Sequence, residues 1–272
     1  MTIEHTKIAF IGGGNMAQAI LTGLLAAKFS PENLLVCAPS NTTREKLAEK
    51  FQVNVSDNNA SAANFAEVIF LAVKPNMIAT VADELSLVLQ SNDDDKLIIS
   101  LAAGVTTEQL QGYVRGNSSV IAAMPNLPSA VRQGLTGLVA AKDCSVDGIK
   151  LADDILSAVG KTLWLDDESK MPALVAAAGS SPAYFFLFLE AMIESGVQLG
   201  LTHQQAETAA VQSGLGALTM ASRSELSVIE LKAQVTSPNG TTHQALESFT
   251  DNNLKTLVDE AMQAAARKAA NY

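Results

Sequence analysis

Short apolar runs alternate with helical patterns through the first 165 residues of the chain. The stretches between the runs, such as residues 15–25 and 78–89, carry apolar side chains at helical spacing. The runs contain almost no polar residues, which is typical of parallel strands buried on both faces. The runs of strand character are residues 8–11, 34–38, 68–73, 97–101, 120–123, 134–141 and 161–165. This alternation predicts an α/β domain with a mostly parallel sheet over residues 1–165.

Helical spacing replaces this alternation in the remainder of the chain, which predicts an all-α domain over residues 166–272. A helix near residue 173 is expected to be interrupted or kinked at residues 179–182, where a proline occurs. The next helix, residues 183–199, is apolar on most of its surface. Such a helix must be buried, and a small domain can hardly cover it alone. We therefore expect a helix-on-helix interface between two copies of the chain.

A glycine motif joins the first strand to the first helix. Gly12 permits a tight turn, Gly14 lets a pyrophosphate approach the backbone, and Ala17 lets the helix pack closely on the strand. The helix N-terminus supplies N–H donors and the positive end of the helix dipole. The motif predicts dinucleotide binding, with a ligand-free glycine turn as the alternative. The other residues of the turn are assigned to the same cofactor site: Gly13, Asn15 and Met16.

The end of the second strand lacks the carboxylate that a preference for NAD requires about 20 residues after the glycines. It offers Ser40, Asn41 and Arg44 instead, which suit the 2′-phosphate of NADP. We therefore predict NADPH as the preferred cofactor, with NADH as a second possibility. In the alternative interpretation, Ser40 and Thr43 only cap the following helix.

Further cofactor contacts are predicted at the carboxyl ends of later strands, where ligands bind in such sheets. Lys74 could face the cofactor or be a solvated loop lysine. Asn126 lies between two prolines, so its amide is held rigidly, either against a nicotinamide carboxamide or within the loop. The small residues after the 97–101 run permit close approach of a flat ring. The remaining residues assigned to the cofactor at these ends are Ala72, Val73, Pro75, Ala102, Ala103 and Gly104.

A second candidate site lies at residues 235–246, in the helical region. Pro238, Asn239 and Gly240 form a turn, after which Thr241 and Thr242 begin a helix. With the Ser237 hydroxyl added, this helix N-terminus could bind a carboxylate. The alternative is an ordinary capped loop.

Charge and composition exclude several classes of function. The net charge of −10 argues against nucleic acid or an anionic membrane as the main partner. We expect no membrane span, and the N-terminus does not resemble a signal peptide, so a cytoplasmic location is expected. Cys37 and Cys144 have no disulfide or metal spacing, and His5 is expected to be inert. Thr202 and Gln205 form a capping-box pattern that opens a helix, so His203 lies in its first turn and is expected to be solvated. The acidic turn at residues 91–95 is interpreted as a solvated loop, so no metal site is predicted.

Together these motifs resemble the pyrroline-5-carboxylate reductases of proline biosynthesis, over essentially the whole chain. The shared segments are IGGGNMA at 11–17, AVKP at 72–75, AAGV at 102–105, MPN at 124–126, GSSPAY at 179–184 and VTSPNGTT at 235–242. The resemblance implies an N-terminal Rossmann domain and an all-helical C-terminal dimerisation domain. It also implies a homodimer with interleaved helices, and rings of such dimers, a decamer among them. The implied reaction is reduction of L-1-pyrroline-5-carboxylate to L-proline by NADPH or NADH.

The resemblance also assigns substrate contacts in the 235–242 segment. It implies that the substrate carboxylate is held by Ser237 and by backbone N–H groups at Gly240 and Thr241, and that Thr242, the catalytic residue, hydrogen-bonds the ring nitrogen. Reduction of a C=N bond needs a hydride on carbon and a proton on nitrogen. Because an imine is more basic than a ketone, positioning can supply most of the rate.

Three residues depart from the family pattern, and two rival functions remain open. Asn239 replaces a glycine, Ala122 an arginine and Leu127 a threonine. One rival is another two-domain NADP-dependent reductase, acting on a β-hydroxyacid or on a different cyclic imine. A β-hydroxyacid dehydrogenase would need a catalytic lysine, for which Lys170 and Lys232 are the candidates, and neither lies in that family's motif. The other is a dinucleotide-binding regulator without catalytic activity, in which the 235–242 segment would serve no purpose.

Overall fold

The computed structural model describes residues 3–90, 95–114 and 118–271, which form two compact units. The first, here called the sheet unit, contains Met1–Ser180 and Ala265–Tyr272, and the second, the helical unit, contains Ser181–Ala264. The acidic turn predicted to be solvated lies outside the described residues, except for Asp95.

The described part of the sheet unit contains an eight-stranded sheet with the order β3-β2-β1-β4-β5-β6-β7-β8. Neighbouring strands run parallel except β6 and β7, which are antiparallel. The strands are β1 Ile8–Ile11, β2 Leu34–Cys37, β3 Asn54–Ser56, β4 Val68–Leu71, β5 Lys96–Ser100, β6 Ser118–Met124, β7 Gly134–Ala140 and β8 Gly160–Trp164. The predicted mostly parallel α/β domain is confirmed. β3 was missed because its sequence, Asn-Val-Ser, has no apolar run.

Helices cover both faces of the sheet and make up the helical unit. Those that begin in the sheet unit are α1 Asn15–Ala26, α2 Asn41–Phe51, α3 Ala60–Phe65, α4 Ile78–Leu89, α5 Thr107–Tyr113, α6 Val146–Ser157 and α7 Met171–Leu174. The others are α8 Ser181–Gln198, α9 His203–Arg223, α10 Val228–Gln234, α11 Thr241–Asp251 and α12 Leu254–Ala269. The α9 start is a capping box of Thr202 and Gln205, as the sequence predicts.

Two apolar layers hold the sheet between its helices. On one face Phe10 and Phe70 stack with ring centroids 4.8 Å apart, and α1 and α6 pack over them. On the other face α3, α4 and α5 cover Ile11 and Ile69. Because β1 and β4 are buried on both faces, their sequences carry no polar alternation. The carboxyl ends of these strands are thereby fixed at one edge, where the candidate site lies.

A π-helical turn, Val175–Gly179, joins α7 to α8 at the place where the sequence predicts an interruption. The Ser180 N–H donates to the Val175 carbonyl oxygen at 2.8 Å, five residues back. The compact units divide after Ser180 and not after residue 165. Part of the reason is close packing on β7, because a Cβ at Gly137 would lie 1.8 Å from Leu174 Cδ2.

The helical run Glu168–Gln198 is long and apolar enough to cross a membrane by length and composition alone. This corrects the expectation that no segment is long enough, because the π turn joins two shorter apolar stretches into one run. No residue of α8 is buried within the chain, and Phe186 is 68% exposed. An apolar helix in this state requires a further surface to cover it.

Candidate functional site

The β1–α1 turn has the geometry of a phosphate-binding loop. Gly12 has φ +103°, and a Cβ there would lie 2.5 Å from the Ala72 carbonyl oxygen, so only glycine fits. Gly14 caps α1 without any side-chain hydrogen bond, and a Cβ there would meet no protein atom within 4 Å. Packing therefore does not require glycine at position 14, whereas close approach of a ligand to the backbone does. The turn fits the pyrophosphate of a dinucleotide.

A cleft of about 720 Å³ lies above this turn, and we call it the lysine cleft. It is lined by Gly13, Gly14 and Asn15 from the turn, and by residues of α1 and α2 that include Lys46 and Lys50. The Lys50 ammonium donates to Gln18 Oε1 at 3.3 Å, and Lys46 is exposed. Glu49 also lines the cleft, so the two lysines leave a local excess of positive charge in a chain whose net charge is −10. The cleft can therefore accept an anionic ligand.

Arg44 is engaged by its own loop. Its guanidinium donates to the carbonyl oxygens of Ala38 and Pro39, both at 2.8 Å, and to Asn41 Oδ1 at 3.2 Å. It also lies 3.6 Å from Asp57 Oδ2, and its side chain is only 15% exposed. Asp57 follows β3, so a search for carboxylates after β2 alone missed it. Arg44 thus shapes this loop, and its charge is partly offset before any phosphate arrives.

Ser40 caps α2, because its Oγ accepts from the Thr43 N–H at 3.4 Å. The predicted cap is therefore present at Ser40, with Thr43 contributing its backbone N–H. It does not exclude phosphate binding, since a capped helix end still presents N–H groups to an anion. The Asn41 amide donates to Glu45 Oε1 at 2.6 Å.

A cavity of about 340 Å³ lies between the ends of β2 and β4. Its walls include Gly12, Pro39, Val73 and Met77, while Lys74 and Pro75 are exposed beside them. Cys37 also lines it, and burial raises the pKa of this thiol to about 11. The thiol is therefore neutral near pH 7 and contributes an apolar surface.

The second cavity, about 370 Å³, is formed mainly by small residues, and we call it the alanine cavity. It contains the predicted Ala102, Ala103 and Gly104, together with Ala122 and Met124 from β6. Its floor of small apolar side chains fits a flat ring. Residues Met171, Pro172 and Val175 also line it. Sequence analysis missed these three because their helical spacing placed them in the other domain.

Glu168 lies at the rim of the alanine cavity and holds the start of α5. Its Oε1 accepts from the Thr107 N–H at 3.0 Å, and its Oε2 accepts from Thr107 Oγ1 at 3.2 Å. This contact ties the loop after β5 to the segment before α7. No sequence signal pointed to it, because the two residues are 61 positions apart.

Asn126 orders its loop internally. Its side chain is 7% exposed, Oδ1 accepts from the Leu135 N–H at 2.9 Å, and Nδ2 donates to the Ala178 carbonyl oxygen at 3.0 Å. Both halves of the amide are thus engaged within the sheet unit. Of the two roles considered for Asn126, this geometry favours internal ordering.

The helical unit presents the second helix N-terminus at α11. Asn239 adopts φ +57°, so asparagine maintains the left-handed turn in place of glycine. The Gly240 N–H donates to the Ser237 carbonyl oxygen at 3.1 Å, and Gly240 caps α11 without a side-chain bond. A Cβ at Gly240 would lie 2.4 Å from Ser237 Oγ. The Ser237 hydroxyl therefore sits beside a helix N-terminus that also carries Thr241 and Thr242, all of them exposed.

Comparison with known families matches both parts of the chain. Residues 168–272 match the model described as pyrroline-5-carboxylate reductase dimerisation, and residues 7–104 match the model described as NADP oxidoreductase coenzyme F420-dependent. Pyrroline-5-carboxylate reductase of Haemophilus influenzae is 43% identical over 96% of each chain. That of Pseudomonas aeruginosa is 40% identical over 97% of this chain and 96% of its own.

Solved structures also match over nearly the whole chain. A pyrroline-5-carboxylate reductase from Coxiella burnetii superposes with a TM-score of 0.89 and 41% identity, covering 98% of both chains. Pyrroline carboxylate reductase of Plasmodium falciparum, solved with NADP bound, gives 0.85 and 30% identity, again over 98% of both chains.

Proposed function

This chain belongs to the pyrroline-5-carboxylate reductase family, and we propose that it reduces L-1-pyrroline-5-carboxylate to L-proline, the final step of proline biosynthesis. The observation that carries the proposal is the α11 N-terminus. Ser237 Oγ lies 2.4 Å from the position that a Cβ of residue 240 would take, beside a helix start without a side-chain cap. A helix N-terminus with a hydroxyl at its mouth suits a small carboxylate.

NADPH is proposed as the preferred cofactor, with NADH as a weaker one, and its role is to supply the hydride. The turn from Gly12 to Met16 would hold the pyrophosphate, supported by the open space at Gly14. Ser40, Asn41 and Arg44 would form the 2′-phosphate region. The residues proposed along the rest of the cofactor are Ala72, Val73, Lys74, Pro75, Ala102, Ala103 and Gly104. Asn126, whose amide is engaged within the sheet unit, is proposed to order the loop beside them.

The chain's own residues bind and orient the substrate. Ser237 and the N–H groups at Gly240 and Thr241 would hold the carboxylate, which fixes the ring. The Thr242 hydroxyl would then hydrogen-bond the ring nitrogen, accepting from its N–H once the imine is protonated, which is the form that accepts a hydride most readily. Since an imine needs little help to become protonated, most of the rate would come from positioning.

We further propose a functional division at residue 165, with dinucleotide binding before it and dimerisation and substrate binding in 166–272. A second copy of the chain would cover the exposed α8 face, and dimers would assemble into rings such as a decamer. Net charge −10 is consistent with a cytoplasmic protein that binds neither nucleic acid nor membrane. Light scattering should give at least twice the chain mass of 28.5 kDa, whereas a monomer would contradict the dimer.

The direct test follows NADPH absorbance with L-1-pyrroline-5-carboxylate, then repeats the assay with NADH. We expect turnover with both and a lower KM for NADPH. Protein that binds NADPH but reduces the substrate with neither cofactor would contradict the proposed reaction. Activity on another cyclic imine would then indicate a related reductase, and none on any imine would indicate a regulator.

A further inference from the structure

Asp57 brings a carboxylate to the end of β2 from the neighbouring strand β3. The two strands are parallel, with Cys37 opposite Ser56, and the Ala38 N–H donates to the Ser56 carbonyl oxygen at 2.9 Å. This register places Asp57, the next residue of the chain, beside the loop that follows β2. A dinucleotide fold that prefers NAD carries its ribose-binding carboxylate at the end of β2. Here that position has no carboxylate, and the end of β3 supplies one beside it.

Asp57 faces the guanidinium that this loop offers to a 2′-phosphate. Arg44 Nη1 is held in place, because it donates to the carbonyl oxygens of Ala38 and Pro39, both at 2.8 Å. Arg44 Nη2 donates to Asn41 Oδ1 at 3.2 Å and lies 3.6 Å from Asp57 Oδ2. Since the guanidinium cannot turn away without breaking its backbone bonds, an arriving phosphate has to share Nη2 with Asp57. The Asp57 side chain is 71% exposed, so its charge is open to a ligand beside the loop.

The loop after β2 and the start of α2 border two regions of opposite charge. Thr43 lines the lysine cleft, while Pro39 lines the cavity between the ends of β2 and β4. Both charged side chains described along that cavity, Asp57 and Glu84, are carboxylates. Burial is the main cause of the raised pKa of Cys37 in the same cavity, and the charge of Asp57 adds to it. The lysine cleft therefore attracts an anionic group bound at this loop, and the Asp57 side repels it.

We propose that Asp57 is a specificity-determining residue that lowers the preference for NADPH over NADH. It pairs with the Arg44 guanidinium, so the 2′-phosphate of NADPH gains less from this cation than from an unpaired one. NADH carries a hydroxyl at the same position, and its binding does not depend on this charge. The inference rests on the proposed function, because it takes the loop of Ser40, Asn41 and Arg44 as the 2′-phosphate region.

The test compares two adenosine nucleotides that differ only in the 2′-phosphate. Calorimetric titration gives the Kd of adenosine 2′,5′-bisphosphate and of adenosine 5′-monophosphate without any turnover. Asp57→Asn removes the charge and keeps an oxygen that can accept from Arg44. We expect the Kd of the bisphosphate to fall about fourfold, within the range for exposed charge pairs, and that of the monophosphate to stay unchanged. The ratio of kcat/KM for NADPH to that for NADH should rise by the same factor.

Asp147→Asn is the matched control for net charge. It removes an exposed carboxylate from the first turn of α6. That helix is bonded to β8, at the opposite edge of the sheet from β3, through Asp153 and Trp164. We expect wild-type Kd values for both nucleotides. A gain equal to that of Asp57→Asn would show that net charge alone is responsible, which would overturn the assignment.

The variant Arg44→Gln tests whether Asp57 acts through the guanidinium, because it removes the cation and keeps a donor for the loop. In this background, Asp57→Asn should change the Kd of adenosine 2′,5′-bisphosphate by less than about 1.5-fold. Raising the salt from about 50 mM to about 300 mM should also reduce the difference between wild type and Asp57→Asn, since ions screen exposed charges. An undiminished gain in the Arg44→Gln background would overturn the pairing.

Nucleotide binding separates this inference from the reaction. Wild-type protein that binds neither nucleotide would refute the cofactor site, and the role of Asp57 with it. Protein that binds both nucleotides but does not reduce the substrate would refute only the proposed reaction. Equal shifts of the two Kd values in Asp57→Asn, or no shift in either, would refute the role given to Asp57.

Discussion

The helices α1 and α11 both begin after a glycine, but the surroundings of the two glycines differ. Both helices have a glycine N-cap and no side-chain bond to the first turn. A Cβ at Gly14 would meet nothing, while a Cβ at Gly240 would strike the Ser237 hydroxyl. Five other helices instead begin with a side-chain cap, from Ser40, Thr106, Ser145, Thr202 and Ser227.

The comparison shows that a glycine before a helix can have two different surroundings. At α1 the space in front of the first N–H groups is open. At α11 the glycine makes room for the Ser237 hydroxyl beside the helix start. A pyrophosphate suits the first arrangement and a single carboxylate the second.

Removing the Thr242 hydroxyl would test the α11 site most severely. We expect Thr242→Ala to lower kcat about 100-fold, because the ring nitrogen loses the hydroxyl that positions it for hydride transfer. NADPH binding, measured by fluorescence titration, should be nearly unchanged. Thr250→Ala is the control, because it removes a hydroxyl from the same helix that only bonds the Leu246 carbonyl oxygen. Equal loss of cofactor binding would contradict the role given to Thr242.

Gly240→Ala would test whether the fold requires glycine at α11. The added Cβ displaces the Ser237 hydroxyl, so the KM for L-1-pyrroline-5-carboxylate should rise about tenfold or more. The double variant Gly240→Ala with Ser237→Ala has no such clash. Its KM for the substrate should be little higher than that of Gly240→Ala alone. If the substrate KM of Gly240→Ala matches wild type, the Ser237 assignment fails.

Gly14→Ala would test the opposite case at α1. No protein atom opposes the new methyl group, so the melting temperature should be unchanged or slightly raised. We expect the KM for NADPH to rise about tenfold, because the methyl group enters the space given to the pyrophosphate. Gly12→Ala is the contrasting variant, since its Cβ meets the Ala72 carbonyl oxygen and should destabilise the fold. Unchanged cofactor affinity in Gly14→Ala would remove the contrast between the two glycines.

The smallest effects are expected at Arg44, in the loop after β2, and at Lys46, in the lysine cleft. Arg44→Ala removes three hydrogen bonds of the loop after β2, so the KM should rise for both cofactors, by about threefold for NADH and more for NADPH. Lys46→Gln alters a cation without disturbing that loop, and should raise only the KM for NADPH, about threefold. If Arg44→Ala affects NADPH alone, Arg44 contacts the 2′-phosphate directly and its loop bonds are secondary.

Sequence analysis succeeded wherever a pattern was local. The buried strands, the caps at Ser40 and Thr202 and the left-handed turn at Asn239 all depend on neighbouring residues. It failed for β3, whose short polar sequence has no apolar signal, and for the membrane-length run 168–198. In the second case, the interruption near residues 179–182 is present, but the sequence did not show that the π turn there joins two apolar stretches into one run.

By itself, the sequence determined the fold class, the two glycine-capped helix starts and the family. Apolar periodicity, and the ability of glycine and asparagine to adopt a left-handed backbone, depend on a few neighbouring residues, so both can be recognised in the sequence. Tertiary structure alone decided that Arg44 faces Asp57, that Glu168 holds Thr107 and that Asn126 bonds Ala178. These partners are 13 to 61 positions apart, and hydrogen bonds form only at distances that the packed sheet imposes.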